Sequence, residues 1–204
     1  MPRRIRVTPE SRDAAIEAAV EVLRDGGVAY LPAEGVYGLH ARADLPDSMA
    51  RLRALKPRGG GRGSIALIGE PADLDRWSPS ADPRLRALAR AHWPGPLTLV
   101  LPAAPEVPAG ILGPDGTVAL RCPGSDLLRE IVARAGGLVV STSVNRPGEP
   151  AALDAEHPMA ARADIVLDAG RLPGTPSTVV GVRDGAIRIL REGAVRIARD
   201  PAAG

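Results

Sequence analysis

The 204-residue chain sets 26 Lys and Arg against 24 Asp and Glu, a formal net charge of +2, and is only 2% aromatic with no Phe. This balance permits a local basic cleft without by itself implying nucleic acid, and so few rings argue against single-strand binding by base stacking. Cys122 stands alone, which excludes an internal disulfide, and His40, His92 and His157 lack metal-ligand spacing, so no metal site is expected.

The length fits one domain over residues 1–204, with a core of about 12–197, short tails, and an interior of Ala, Val, Leu and Ile. The start MPRRIRV is charged and does not read as a signal peptide. No apolar run approaches the roughly 20 residues that span a bilayer, so a cytoplasmic protein with no membrane partner is expected.

Thr8-Pro9-Glu10 reads as a helix start, with Thr as cap and Pro at the first helical position. Ile16, Ala19, Val20 and Leu23 form its apolar stripe and Gly26-Gly27 its stop. Strands follow at Val28–Leu31 and Val36–Ala41, then a helix over Asp47–Leu55 with Met49, Leu52 and Leu55 inward. Beyond a glycine-rich basic segment, Ser64–Ile68 is a short strand and Leu74–Trp77 and Pro83–Ala91 are short helices. Trp93-Pro94-Gly95-Pro96 makes a rigid turn into a buried strand at Leu97–Leu101. Thr117–Cys122 is a strand, Asp126–Ala135 a helix closed by Gly136-Gly137, and Leu138–Ser141 a strand. Ala155–Arg162 reads as helical, Ile165–Leu167 as a strand, and Ser177–Val182 with Ala186–Leu190 as a hairpin around Asp184-Gly185. The tail after Ile197 is expected to fray. This alternation favours an α/β open mixed sheet over separate domains. Ligands in such sheets sit beyond the strand ends, where several polar loops fall here.

Lys56 is the only lysine, and it is followed by Arg58 and, after three glycines, Arg62. Three cations on such a loop repel one another unless an anion joins them, and a phosphate cradled by glycine N–H groups would serve. A solvated basic surface loop has the same composition. No nucleophilic triad, P-loop or dinucleotide fingerprint is present. What remains is a set of small hydroxyls and arginines at strand ends: Thr117, Arg121, Ser141, Ser143, Asn145, Ser177, Thr178 and Arg191. Singly, such residues usually cap turns or meet solvent. Together they suit a carboxylate plus a polyphosphate.

From Val28 to Val195 the sequence resembles the YrdC-like family, the threonylcarbamoyl-AMP synthases of the tRNA threonylcarbamoyladenosine (t6A) modification. The residues carrying the resemblance are Pro32-Ala33-Glu34-Gly35-Val36-Tyr37-Gly38-Leu39 (family P-T-[DE]-T-V-Y-G-L), Lys56-Pro57-Arg58 (K-x-R) and Trp93-Pro94-Gly95-Pro96-Leu97-Thr98. Arg121-Cys122-Pro123, Ser143-Val144-Asn145, Pro176-Ser177-Thr178 and Leu190-Arg191-Glu192-Gly193 continue it in family order. The resemblance implies a YrdC-like (DHBP-synthase-like) fold: a single twisted open mixed sheet flanked by helices, with a wide positive concave face. It also implies formation of threonylcarbamoyl-AMP from L-threonine, bicarbonate and ATP, with Mg²⁺ and release of pyrophosphate. Lys56 and Arg58 fall at the candidate catalytic cations. With Arg62, Thr117, Ser143, Asn145 and Arg191 they fall where the family holds the nucleotide. Gly35, Leu67, Arg121, Ser141 and Ser177 fall at the amino-acid positions, Arg121 facing the threonine carboxylate. The implied partners are these small molecules, a downstream threonylcarbamoyl transferase complex, and tRNA or double-stranded RNA on the basic concave face.

Three departures from the family pattern bear on specificity. Both threonines of P-T-[DE]-T are replaced, by Ala33 and Gly35, and Leu67 stands where a histidine commonly meets threonine. Loss of such partners is expected to relax amino-acid choice, and restoring Gly35→Thr with Leu67→His to improve use of threonine. No carboxylate stands out as a Mg²⁺ ligand, and Glu34 is at best a candidate. Two other readings stay open: a paralogue that binds nucleotide or RNA without catalysis, and carbamoyl-adenylate formation on another amine or from carbamoyl phosphate.

Overall fold

The computed structural model describes residues 1–55, 64–145 and 149–197. In chain order its elements are β1 (Arg3–Arg6), α1 (Arg12–Arg24), β2 (Ala29–Pro32), β3 (Tyr37–Arg42), α2 (Pro46–Leu55), β4 (Ile65–Leu67), α3 (Leu74–Trp77), α4 (Pro83–His92), β5 (Leu97–Pro102), β6 (Thr117–Arg121), α5 (Asp126–Ala135), β7 (Val139–Thr142), β8 (Ile165–Asp168), β9 (Thr178–Arg183) and β10 (Ala186–Arg191). Among the described residues the strands form one ten-stranded sheet in the order β1-β8-β2-β3-β7-β4-β6-β5-β9-β10. The pairs β1–β8, β8–β2, β4–β6 and β5–β9 are parallel and the others antiparallel.

The two faces of this sheet are covered unequally, and the site follows from that. On one face α1 and α5 pack Ile16, Leu23, Leu128 and Val132 against Ala29, Leu67, Val139 and Ile165. Fully burying one such side chain is worth about 1.5–3 kcal/mol. On the other face α2, α3 and α4 bring Met49, Leu52, Trp77 and Leu85 against Tyr30, Leu39, Leu99 and Leu120. Strand side chains alternate between faces, so Val100, Ala119 and Val179 lie on the α1/α5 side. There no helix of the described residues covers them: all three are half-buried and line an open cleft.

Several elements differ from expectation. The N-terminal segment is no tail, because Arg3–Arg6 pairs with Ile165–Asp168 as an edge strand. Arginines at three of its four positions hide the strand pattern, and such charges also blunt an edge against further pairing. The first helix begins at Arg12, not at Pro9. Thr8 and Ser11 form a reciprocal turn instead: Ser11 Oγ accepts from Thr8 N at 2.9 Å, and Ser11 N donates to Thr8 Oγ1 at 3.2 Å. Of Ala155–Arg162, only Pro158–Arg162 is helical, as a 3₁₀ turn. The residues after Ile197 lie outside the described ones. By contrast α5 spans Asp126–Ala135 as expected, with Ser125 Oγ accepting from Leu128 N at 3.3 Å. The hairpin turns at Asp184-Gly185.

Candidate active site

At the strand ends on the uncovered side lies a pocket of about 80 Å³. Its floor is Gly38 of β3, Ser141 and Thr142 of β7, and Ile65 of β4; Ser141 pairs in register with both His40 and Ile65. Its walls are Arg121 at the end of β6, the strap Thr175–Ser177 that enters β9, and Arg191 at the end of β10. The β9–β10 register shifts between Ile189 and Arg191. Irregularities of this kind re-aim a side chain, and Arg191 donates back to Ser177. Its Nε and Nη2 reach Ser177 O at 3.1 and 2.8 Å, and Nη2 reaches Ser177 Oγ at 2.9 Å. Ser177 Oγ also shares a hydrogen bond of 2.8 Å with Thr98 Oγ1. The Trp93–Pro96 turn docks beside β6, with Gly95 N donating to Cys122 O at 2.9 Å. Gly95 O accepts from Arg121 Nε at 3.2 Å, and Arg121 Nη2 donates to Glu34 Oε2 at 2.5 Å.

The electrostatics are those of an anion site. Burial pulls the Arg121 guanidinium below its ordinary pKa although Glu34 pushes the other way. Burial, and then the charge of Arg121, likewise lowers Arg191. Two partly desolvated cations thus face one pocket, Arg121 ion-paired to Glu34, and a bound anion relieves both. His40 beneath the floor is fully buried; its Nδ1 sits 3.1 Å from Gly38 O and its Nε2 has no partner. Burial holds its pKa down to about 4, so the ring is neutral at pH 7.

A larger cleft of about 570 Å³ adjoins this pocket. Thr98, Val100, Thr117, Ala119 and Val179 form its base, with Asp115, Arg183 and Asp184 toward the turns. Ile65 and Arg191 line both cavities, so the two adjoin across these side chains.

Of the residues expected at the site, Gly35, Arg121, Ser141, Ser143, Ser177 and Arg191 meet in the small pocket, and Thr117 lines the larger cleft. Asn145 lines neither; its Nδ2 donates to Glu149 O at 3.1 Å. Lys56, Arg58 and Arg62 lie outside the described residues, but Ser64 and Ile65, which follow them, line the cleft. Leu67 is a correction: it shares the sheet face of Arg121, yet α1 and α5 cover it, and it packs in their core away from the pocket. Gly35 is a second. An added Cβ there would sit 1.8 Å from Thr175 O, so the strap backbone already occupies the space that a threonine would need. Glu34, considered for Mg²⁺, is instead ion-paired to Arg121. Sequence reasoning missed the wall residue Thr175 and the Thr98–Ser177 bond. Only the polar Thr98 at the end of an apolar-strand motif hinted at the latter.

With this geometry in view, comparison with known proteins is direct. The Sua5/YciO/YrdC family profile, described as "Telomere recombination", matches residues 21–193. A threonylcarbamoyl-AMP synthase of Chromohalobacter salexigens is 36% identical over 174 residues, covering 83% of this chain and 94% of that protein. One from Halorhodospira halophila is 33% identical over 184 residues, covering 87% and 95%. The structure of P. abyssi Sua5 complexed with L-threonine superposes with a TM-score of 0.83 at 29% identity over 95% of this chain, which spans 57% of that longer protein. E. coli YciO superposes with a TM-score of 0.81 at 25% identity, over 95% of this chain and 96% of that one. The chain belongs to the Sua5/YciO/YrdC family.

Proposed function

We propose that this protein is a threonylcarbamoyl-AMP synthase: it joins L-threonine, bicarbonate and ATP and releases pyrophosphate, supplying the activated group for t6A in tRNA. The observation that carries this reading is the shared wall. A small pocket with a buried arginine, suited to an amino-acid carboxylate, adjoins a cleft large enough for a nucleotide, and Arg191 and Ile65 belong to both.

In this reading the threonine carboxylate meets Arg121, and Ser141 and Ser177 offer hydroxyls to the rest of the amino acid. The ammonium group of threonine gives up a proton, and the free amine condenses with bicarbonate, losing water, to give a carbamate. A carbamate oxygen then attacks the α-phosphorus, the bond from that phosphorus to the bridging oxygen of the β-phosphate breaks, and pyrophosphate leaves. No protein nucleophile is required, because the work is positioning and charge compensation. Arg191 stands where the two substrates meet, and Lys56, Arg58 and Arg62 are the cations we assign to the phosphates. Mg²⁺ enters as the MgATP complex, and no metal-binding cluster of His, Cys, Asp and Glu occurs among the described residues. The product passes to a threonylcarbamoyl transferase complex acting on tRNA. No helix of the described residues is long and apolar enough to cross a membrane.

The test is pyrophosphate release from MgATP with bicarbonate and each amino acid in turn. Release that needs both bicarbonate and threonine is expected. Turnover with a different amine only would replace threonine but keep the chemistry. ATP binding without any turnover would leave a nucleotide-binding module.

A further inference from the structure

Glu34 does not line either cavity, yet three turns converge to seat its carboxylate. It follows β2, and it meets the guanidinium at the end of β6 beside the Trp93–Pro96 turn. The pair is largely sequestered, the side chains of Arg121 and Glu34 being 9% and 18% exposed. Gly124 completes the seat: an added Cβ there would lie 2.7 Å from Glu34 Oε1. That oxygen is buried with no partner, so the position is not the one that best satisfies Glu34 itself. An ion pair kept only for the fold could be replaced by apolar packing without loss. Here the carboxylate fixes one edge of the guanidinium and Gly95 O fixes Nε. The N–H groups that neither engages are the ones left to meet a ligand where Arg121 lines the pocket.

We infer that Glu34 is a positioning residue: it sets the direction in which Arg121 presents its free N–H groups to the carboxylate of the amino-acid substrate. This rests on the functional reading above and adds to it the residue through which Arg121 acts. A lone buried arginine has several rotamers, whereas one held at two edges has its fork pre-aimed, so less freedom is lost when the substrate binds.

The test uses three variants of the full chain and separate KM values for threonine and ATP, with thermal unfolding alongside. Glu34→Ala removes the anchor. Gly124→Ala keeps both charges and pushes the flexible carboxylate end aside, so it informs even if Glu34→Ala does not fold. Glu34→Gln keeps an oxygen that accepts from Arg121 Nη2. We expect Glu34→Ala and Gly124→Ala to raise the threonine KM about tenfold or more, the scale of one hydrogen bond to a charged group. The ATP KM should stay within about twofold, and Glu34→Gln should recover most of the threonine affinity. An unchanged threonine KM in Gly124→Ala and Glu34→Ala would overturn the assignment. So would a Glu34→Gln as weak as Glu34→Ala, because charge and not orientation would then be the role of Glu34. Equal rises in both KM values would overturn it as well. A wild-type protein without threonine-dependent pyrophosphate release overturns the functional reading, and this inference with it. Normal wild-type turnover with indifferent variants overturns this inference alone.

Discussion

Replacing Gly35 by threonine, which the family pattern suggests as a gain, is expected to damage this protein. The added Cβ would lie 1.8 Å from Thr175 O, whereas real Cβ atoms essentially never come within 3.0 Å of a neighbour, and the obstacle is backbone. The strap must therefore retreat by more than an ångström. That breaks the hydrogen bond from Gly174 N to Gly35 O, now 2.7 Å, and moves Thr175, Pro176 and Ser177 out of the pocket wall. Overpacking costs about 1–3 kcal/mol and the lost bond about 1 kcal/mol, for a total of about 2–4 kcal/mol. At about 2–4 °C per kcal/mol for a chain of this size, the melting temperature should fall by about 4–16 °C. Differential scanning calorimetry reads the stability, and pyrophosphate release at varied threonine reads the pocket, where the threonine KM should rise. A Gly35→Thr protein with wild-type melting temperature and equal or better use of threonine would refute the close approach of the strap.

Other perturbations separate the parts of the site. Tyr37→Phe removes a hydroxyl that donates to Gly170 O at 2.8 Å and accepts from Ala169 N at 2.9 Å. It should cost about 1–3 kcal/mol in urea unfolding, with faster hydrogen exchange at Ala169 as the local marker. His40, held neutral by burial with a pKa of about 4, makes stability pH-dependent. The unfolded chain takes up a proton below about pH 6.5 that the folded one refuses, so stability is full above that pH. It should decline by about 3 kcal/mol as pH falls to about 4, and His40→Asn should flatten that part of the unfolding profile. Arg191→Ala should raise the KM for threonine and for ATP together, by about tenfold or more each, because the side chain walls both cavities. Lys56→Ala and Arg58→Ala should weaken ATP binding by calorimetry and leave the melting temperature unchanged; unaltered binding in both would remove them from the phosphate site.

Elements whose signals are local were legible in the sequence. The glycine pair after Ala135 closes α5, and Asp184-Gly185 marks the hairpin. β1 was hidden because its partner is some 160 residues away and three of its four side chains are arginine. Arg121, Ser141 and Ser177 were legible as polar groups at strand ends, and the fold brings them to one pocket. Leu67 is misplaced by alignment with the family segment, which does not reveal that α1 and α5 lie across that stretch of the sheet. Thr175 escaped notice because its contribution at Gly35 is a carbonyl, which no residue type reveals. The Glu34–Arg121 pair was not legible, because a motif gives no hint of the cation that folding sets against Glu34.

The partition between the two cavities is thin, being little more than Ile65 and Arg191. If Arg191 serves both substrates as proposed, the first to bind orders the guanidinium that the second also uses, and their binding isotherms are coupled. Thermodynamic reciprocity then requires threonine to change the affinity for ATP by the same factor as ATP changes the affinity for threonine.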